Sequence, residues 1–324
     1  MKGAQVVVTG AAGQVGFPVC AHLARDNEVW AVDLFARPGS QQRLESLGAI
    51  TRRIDIASGD FGDLPSAPSY VLHLAAYIST DVDFDAAMRV NAEGTGLLLA
   101  HCQEARAALV MSTSGVYDRK DDRLHRYAET DRIGDSRSPI TPTYGLSKVT
   151  EEAVARASAR VLGLPIVITR LSSAYGPNGG MPAVDLDTIV AGRAIVLRGE
   201  PVPSNPIYEG DIAEQAELLL EVASVPATIV NWGGDDLVTQ EQWCEHLAAL
   251  AGRELRITRE DGERRGGSML VDRRLAITGR CKTDWRTGMR LMLEGRYPDG
   301  PNGPRRPDVG GAHALEAFEQ RARS

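Results

Sequence analysis

Residues Thr9 to Gly16 read TGAAGQVG, and their neighbours decide what this stretch is. Gln5 to Thr9, QVVVT, is a β-branched run of strand character; Val15 to Arg25 is an amphipathic helical segment, and Val29 to Val32 is a second apolar run. A strand, a glycine-rich turn, a helix and a strand make one β-α-β unit. In such a unit Gly10 permits the tight turn, Gly13 lets the backbone approach a pyrophosphate, and Gly16 lets the helix pack closely on the sheet. Ala12, Gln14 and Val15 complete the turn, and an anion would sit on the helix N-terminus, where unpaired N–H groups and the helix dipole favour it. The plainer alternative is a glycine turn with no ligand. Pro18 suits a first helical turn and places the helix start close to Gln14.

The alternation continues downstream. Tyr70 to Ala75, Ala108 to Ser112 and Pro165 to Arg170 read as strands, and Asp83 to Ala105 and Tyr144 to Leu162 as long helices. Strands alternating with helices of this length pair in parallel through right-handed crossovers, which predicts an α/β fold with a Rossmann-type doubly wound sheet. After Arg170 glycine, proline and asparagine become frequent, and a smaller, discontinuous α/β substrate region is expected there. Residues 212–222 read as a helix and Thr228 to Trp232 as a strand, so the chain returns to the sheet. The expected organisation is a dinucleotide-binding domain over 1–173 joined by about 207–233, a substrate region of 174–206 and 234–300, and a tail over 301–324. A proline- and glycine-rich linker over 298–311 and a short helix from His313 belong to that end of the chain.

Composition excludes several classes of function. The chain has 324 residues, 43% hydrophobic and 24% charged, enough apolar sequence to bury a core. Lys plus Arg number 36 against 43 Asp plus Glu, a net charge of -7, so no basic footprint for nucleic acid is present. Cys20, Cys102, Cys244 and Cys281 form no C-x-x-C pair, which points to no metal site and no disulfide framework. No stretch approaches the ~20 apolar residues of a membrane span, and no signal-peptide pattern is seen, so a cytoplasmic protein without a membrane partner is expected.

Asp33 ends the second strand 17 residues beyond Gly16, close to the ~20 at which a carboxylate reaches a ribose 2′-hydroxyl. A carboxylate there repels a 2′-phosphate and favours NAD over NADP; Arg37, just past the strand, weakens that preference, and a plain turn residue is the alternative for Asp33. Asp55 and Ile56 follow a third possible strand and are candidates to touch an adenine ring. Tyr144 and Lys148 stand four apart on one helix face. A phenol is a poor base near neutral pH, and a cation one turn away lowers its pKa toward the working range. The spacing alone describes many solvated helix faces. Ser112, Thr113 and Ser114 add weight, because they lie at the C-terminal edge of a strand, where open α/β sheets bind ligands.

These pieces together resemble the extended short-chain dehydrogenase/reductase family, in its NAD-dependent epimerase/dehydratase branch, over roughly residues 4–235. The matching segments are TGAAGQVG, HLAA (His73 to Ala76), NAEGT (Asn91 to Thr95), STSGVY (Ser112 to Tyr117), YGLSK (Tyr144 to Lys148) and RLSSAYGP (Arg170 to Pro177). The resemblance implies Tyr144 as catalytic acid/base and Lys148 as the group that lowers its pKa and binds the nicotinamide ribose. It also implies Thr113 as donor to the reacting oxygen, with Ser114 beside it, and Asn91 as support for Lys148 through a water. Leu74, Ala75 and Ala76 would line the cofactor cleft; Ser79, Ser173 and Tyr175 are candidates to line the substrate side. A homodimer is expected from the same resemblance.

The chain also departs from that pattern. Dehydratases of the family carry Asp-Glu after the hydroxyl residue; here Ser114 and Gly115 stand there, and neither does acid/base work. Where nucleotide-sugar enzymes tend to place Asn before YGP and an arginine ahead of the segment matching Ile207 to Ala213, this chain has Ser173 and Ser204-Asn205-Pro206, with Arg193 and Arg198 as possible substitutes. The leading expectation is an NAD-dependent dehydrogenase or reductase acting on a secondary alcohol or ketone of a small polar substrate. A nucleotide-sugar epimerase with tightly held NAD is the alternative, and a non-catalytic NAD-binding sensor is a third reading of another class. Trp232, Trp243 and Trp285 read as core, His73 as a satisfied structural histidine, and Asp118 to Arg126 as a solvated loop and candidate lid. Met181 shares the substrate-side location.

Overall fold

Strand β1 (Gln5–Thr9) is buried on both faces, with Val6 and Val8 in one core and Val7 in the other, as a central parallel strand must be. A computed structural model describes residues 1–134, 141–261 and 267–305. From β1 the chain runs through α1 (Gly16–Leu23), β2 (Glu28–Asp33), α2 (Ser40–Glu45), β3 (Ile50–Arg53) and β4 (Tyr70–His73). It continues through α3 (Phe84–Met88), α4 (Gly94–His101), β5 (Ala107–Thr113), the short β6 (Arg126–Tyr127), α5 (Tyr144–Leu162) and β7 (Ile166–Leu171). Then follow β8 (Ala174–Tyr175), α6 (Met181–Val190), β9 (Ile195–Arg198), β10 (Ile207–Tyr208), α7 (Glu209–Leu220) and β11 (Thr228–Trp232). The last elements are α8 (Gln240–Ala251), β12 (Ile257–Glu260), β13 (Ser268–Met269), α9 (Asp272–Thr278) and α10 (Trp285–Arg296).

Seven strands form one sheet in the order β11-β7-β5-β4-β1-β2-β3, and every neighbouring pair is parallel. The order reverses between β1 and β4, so the connections leaving these two strands diverge and open a crevice at their C-terminal ends. One face carries α1 and α7 on a core that includes Val19, Leu23, Ile212, Leu219 and Trp232; the other carries α4 and α5 through Leu98, Leu99, Ala155 and Ala159. A third core lies outside the sheet and joins α6, β9, α8 and α10 through Leu186, Ile195, Trp243, Leu247 and Met292. Trp232 and Trp243 are thus core, and Trp285 packs half-buried against the same third cluster.

Three expectations change in detail. The long helix over Asp83 to Ala105 is interrupted by a π-turn at Arg89–Glu93, between α3 and α4. Helix α1 begins at Gly16, not near Gln14, with Val15 at its N-cap position. The charged segment beyond Tyr117 is mostly exposed, yet its end is fastened: Arg126 and Tyr127 pair in parallel with Ser268 and Met269. The expected helix from His313, and all of the tail beyond 305, lie outside the described residues. Among the described residues no helix is long and apolar enough to cross a membrane.

The β1–α1 turn has no room for a side chain at Gly16. A Cβ on Gly16 would lie 2.1 Å from the Gly10 carbonyl oxygen and 2.8 Å from Ala11 Cα, both backbone atoms. Gly16→Ala is therefore expected to cost about 3 kcal/mol, at the upper end of overpacking penalties, read as a lowered thermal midpoint against a control such as Gly252→Ala, where no atom approaches but the φ of +61° carries its own smaller strain. A Gly16→Ala protein as stable as the parent would show that the turn relaxes freely.

Candidate active site

Gly10 has a φ of +65°, and a Cβ on it would sit 2.7 Å from Ala75 N and Cα, so the turn after β1 touches the chain leaving β4. At Gly13 a Cβ would meet only the Gly10 carbonyl group, with the oxygen at 3.0 Å; the outer side of the turn is otherwise clear. That is the cradle a close-approaching anion needs, at the N-terminal, positive end of α1. Gln14 reaches away from the turn, and its Nε2 donates to the Ala174 carbonyl at 2.8 Å. Asp33 fastens the same turn to β2: its carboxylate accepts from Ala12 N and Phe35 N, each at 3.0 Å. Arg37 Nη1 nearby is buried without a hydrogen-bond partner.

Leu74 is core, and its N–H bonds to the Thr9 carbonyl at 3.2 Å, while Ala75 N donates to Thr9 Oγ1 at 3.3 Å. Ala75 and Ala76 stay half-exposed at the crevice. Asp55 is an exposed cap, accepting from Ala57 N at 3.0 Å, and Ile56 is buried beneath Gly94 at the start of α4.

On the opposite wall, the first two turns of α5 present Tyr144 and Lys148. The Tyr144 side chain is half-exposed and its hydroxyl bonds with the Thr113 side chain from the end of β5. The three strand-end hydroxyls have separate fates. Ser112 is buried and donates to Glu152 at 2.6 Å, Thr113 also accepts from Gly115 N at 3.1 Å, and Ser114 opens a short 3-10 turn. Asn91 sits in the π-turn, wholly buried; its Oδ1 accepts from Tyr77 N at 2.6 Å, and its Nδ2 donates to Tyr77 O and Ser147 Oγ. It thus pins the chain after β4 to α5, one residue before Lys148.

The candidate substrate residues are dispersed. Ser79 is half-exposed and accepts from Asp81 N at 3.0 Å. Ser173 lies 3.5 Å from Ser204 Oγ. Tyr175 corrects its expectation, for it is 0% exposed in the third core, with its hydroxyl donating to the Trp285 carbonyl at 3.2 Å. Gly288 lets α10 approach that ring, since a Cβ there would lie 2.2 Å from the Tyr175 oxygen. His73 holds a structural place between Thr9 Oγ1 and Thr95 Oγ1, each at 2.7 Å, and burial, aided by the Lys148 charge, pushes its pKa down to about 3. It stays neutral.

Three charged groups of the site were not among the sequence candidates. Glu151 is 0% exposed and forms an ion pair with Lys148, which is 1% exposed. Glu152 receives Arg170 Nε and Nη2 at 2.9 and 2.8 Å, in the bidentate geometry that suits a buried pair. Arg170 also lies over the Tyr117 ring, 4.8 Å from its centroid, and that phenol donates to Asn231 Oδ1 at 2.5 Å. The adjacent glutamates, three and four residues beyond Lys148, are a visible signal; their burial is not. Burial and the Glu151 charge push the Tyr144 phenol above its ordinary pKa, against the expectation that Lys148 alone would lower it. Among the described residues no cluster of His, Cys, Asp or Glu is arranged to hold a metal ion.

A hydroxyl-bonded tyrosine with a lysine one turn on, facing a glycine turn across the switch point of a doubly wound sheet, defines an enzyme of the short-chain dehydrogenase class. The model of the NAD dependent epimerase/dehydratase family matches residues 6–222, and the chain belongs to that family. It is 29% identical over 190 residues to an uncharacterized UDP-glucose epimerase YtcB of Bacillus subtilis, covering 54% of this chain and 58% of that protein, little more than half its length. It is 27% identical over 275 residues to dTDP-glucose 4,6-dehydratase of Escherichia coli, covering 71% and 72% of the two chains. The UDP-glucose 4-epimerase of Thermus thermophilus, solved with NAD, superposes with a TM-score of 0.74 at 24% identity, over 90% of this chain and 98% of that one. At that identity the likeness shows the shared fold.

The Arg170–Glu152 pair ties β7 to α5 with both side chains nearly inaccessible. Glu152→Gln removes one charge and leaves the guanidinium buried and uncompensated, and a loss of about 3–5 kcal/mol is expected, measured by denaturant unfolding. A loss below about 1 kcal/mol would mean that the pair behaves as an exposed one.

Proposed function

We propose that this protein is an NAD-dependent oxidoreductase acting at a secondary alcohol or ketone carbon of a small polar substrate. The observation that carries the reading is the Tyr144 hydroxyl on Thr113, placed across the crevice from a glycine turn whose outer side is clear. The diphosphate of NAD would lie on Gly10 to Gly16, its adenosine ribose toward Asp33, and its adenine toward Asp55 and Ile56. Leu74, Ala75, Ala76, Asn91, Tyr144 and Lys148 would surround the nicotinamide half. When bound, NAD supplies the two-electron step by taking up or returning hydride.

The chain's own residues do the rest. Thr113 holds the substrate oxygen, which fixes the reacting carbon at a productive distance. Tyr144 takes the hydroxyl proton in the oxidative direction and returns it in the reductive one. Lys148, one turn beyond Tyr144 and paired with Glu151, would lie beside the ribose. Asn91 keeps α5 and the chain after β4 in register through Ser147 and Tyr77.

The nucleotide-sugar epimerase reading draws support from what the relatives are named for. Several features of this chain favour a simpler substrate. Asn205 is wholly buried and spent on Gly234 O and Met269 N, Ser204 pairs with Val238, and Arg198 bonds to Glu260 on β12. These groups, which would be asked to hold a sugar-nucleotide diphosphate, serve the fold. Ser114 and Gly115 leave the dehydratase chemistry without its carboxyl groups. Four free thiols support a reducing, cytoplasmic setting, and exposed Leu97, Leu146 and Val161 on α4 and α5 support a homodimer.

Tyr144→Phe is expected to keep NAD affinity and to lower turnover by ~10²-fold or more; unchanged turnover sinks the assignment. Candidate alcohols are screened by NADH absorbance, and UDP- and dTDP-hexoses by loss of the starting epimer. Epimer conversion without net NADH would install the epimerase reading. Asp33→Ser is expected to weaken NAD and to shift the NAD/NADP affinity ratio toward NADP, measured by titration calorimetry. If the ratio stays fixed, Arg37 sets the preference instead.

A further inference from the structure

Between Gly10 and Gly16 the glycine turn has one polar side chain, Gln14, and it crosses to the substrate region. Its Nε2 donates to the Ala174 carbonyl of β8 at 2.8 Å. The chain opposite is bare where the amide arrives. A Cβ on Gly179 would already touch Gln14 Cγ and Oε1 at 3.5 Å, and one on Gly180 would lie 2.9 Å from Nε2 and 2.2 Å from the Ala174 oxygen. No side chain at Gly180 fits over this bond, and its φ of +100° suits glycine as well. From this seat the chain leads into the third core in two directions. Ala174 pairs with Ile207 of β10, and the next residue, Tyr175, is buried against α10. Gly180 is the N-cap residue of α6, whose Ala183, Leu186 and Ile189 belong to the same core. Ser173 and Met181, both half-exposed, flank the seat on either side. The loop between them has a second anchor: Glu209, which opens α7, accepts from Asn178 N at 3.3 Å and from its Nδ2 at 2.8 Å.

We propose that Gln14 is a positioning residue that couples the two walls of the crevice: a dinucleotide seated on the glycine turn orders β8 and the start of α6 through the Gln14 amide. The proposal rests on the NAD-dependent reading above for the identity of that dinucleotide. A glutamine gives up rotamer freedom to make a fixed bond of this kind. A ligand that immobilises the backbone of the turn removes part of that cost in advance, so the bond to Ala174 is made more often when the turn is occupied. Linkage makes the effect reciprocal, and order at β8 and α6 strengthens the hold on the dinucleotide by the same factor. The Glu209 anchor at Asn178 does not involve the turn, so it holds the loop in either state. Gln14 alone supplies the part that answers to the ligand.

Hydrogen exchange read by mass spectrometry on the full chain, with and without NAD at a concentration that calorimetry shows to be saturating, follows both walls at once. The reporters are the amides of Gly176, Gly179, Ala183 and Val184, whose backbone bonds close within the seat, to Gly179 O, Gly176 O and, for the last two, Gly180 O. In the parent NAD is expected to slow their exchange by about fivefold or more, the lower end of coupling between sites. In Gln14→Leu, which is of similar volume and has no donor, NAD should still protect residues 10–16 while its effect on 174–184 disappears. If that variant does not fold, Gln14→Met, unbranched and also without a donor, is measured in the same way. A purely structural Gln14 would speed exchange over 174–184 equally with and without NAD and leave the NAD-induced difference as in the parent, which overturns the proposal. Protection confined to 10–16 in the parent overturns it too, with NAD binding intact. Absence of NAD binding to the parent is the separate result that removes the NAD-dependent reading and the proposal together.

Discussion

The missing side chain at Gly16 is the constraint on which the crevice depends. A Cβ there would collide with the Gly10 carbonyl at 2.1 Å, and one at Gly10 would collide with the backbone of Ala75. The turn after β1 is thus wedged between its own helix and the chain leaving β4, at the point where the strand order reverses. Asp33 clamps it from the third side through Ala12 N. With the turn so held, the start of α1 borders the crevice and the ends of β4 and β5 form the opposite lip. The distance from a bound anion to Tyr144 is then set by the sheet and not by a loop.

Much of this was readable without coordinates because its causes are local. β-branched runs, a glycine turn and helices of regular amphipathic period predict a doubly wound sheet, and the helix expected over Tyr144 to Leu162 spans those residues in the structure. What escaped reading has non-local causes. The π-turn at Arg89–Glu93 coincides with Asn91 turning inward to Tyr77 and Ser147, partners 14 and 56 residues away. Tyr175 is a substrate-side candidate by its location in the sequence and is core in fact, where Gly288, far along the chain, admits α10 against its ring. Neither contact leaves a mark in the local pattern.

The site shows the same division. The Tyr144 and Lys148 spacing is a helical repeat and visible, but the two glutamates that follow are indistinguishable in sequence from a solvated face. In the fold they diverge, Glu151 toward Lys148 and Glu152 toward Arg170. An ammonium that reads as an isolated cation is one half of a buried ion pair, and burial, with the Glu151 charge added, pushes the phenol up where the spacing alone predicts a lowering. Buried charge is legible only once every element facing it has been placed.

Helix α5 therefore carries charges of both signs on its inner surface: Lys148 and Glu151 pair with each other beside His73 of β4, and Glu152 is held by Ser112 of β5 and Arg170 of β7. Sliding or rolling this helix by one residue would strand those charges in a medium that solvates them poorly, so α5 and the sheet behave as an immovable floor. Adjustment to substrates of different size must come from the other wall, the segments around α6, α8 and α10, which meet the glycine turn through Gln14 and Ala174. The molecule thereby divides between a rigid anvil that carries Tyr144 and a jaw built on the third core, and changes of specificity within this architecture are expected to accumulate in the jaw.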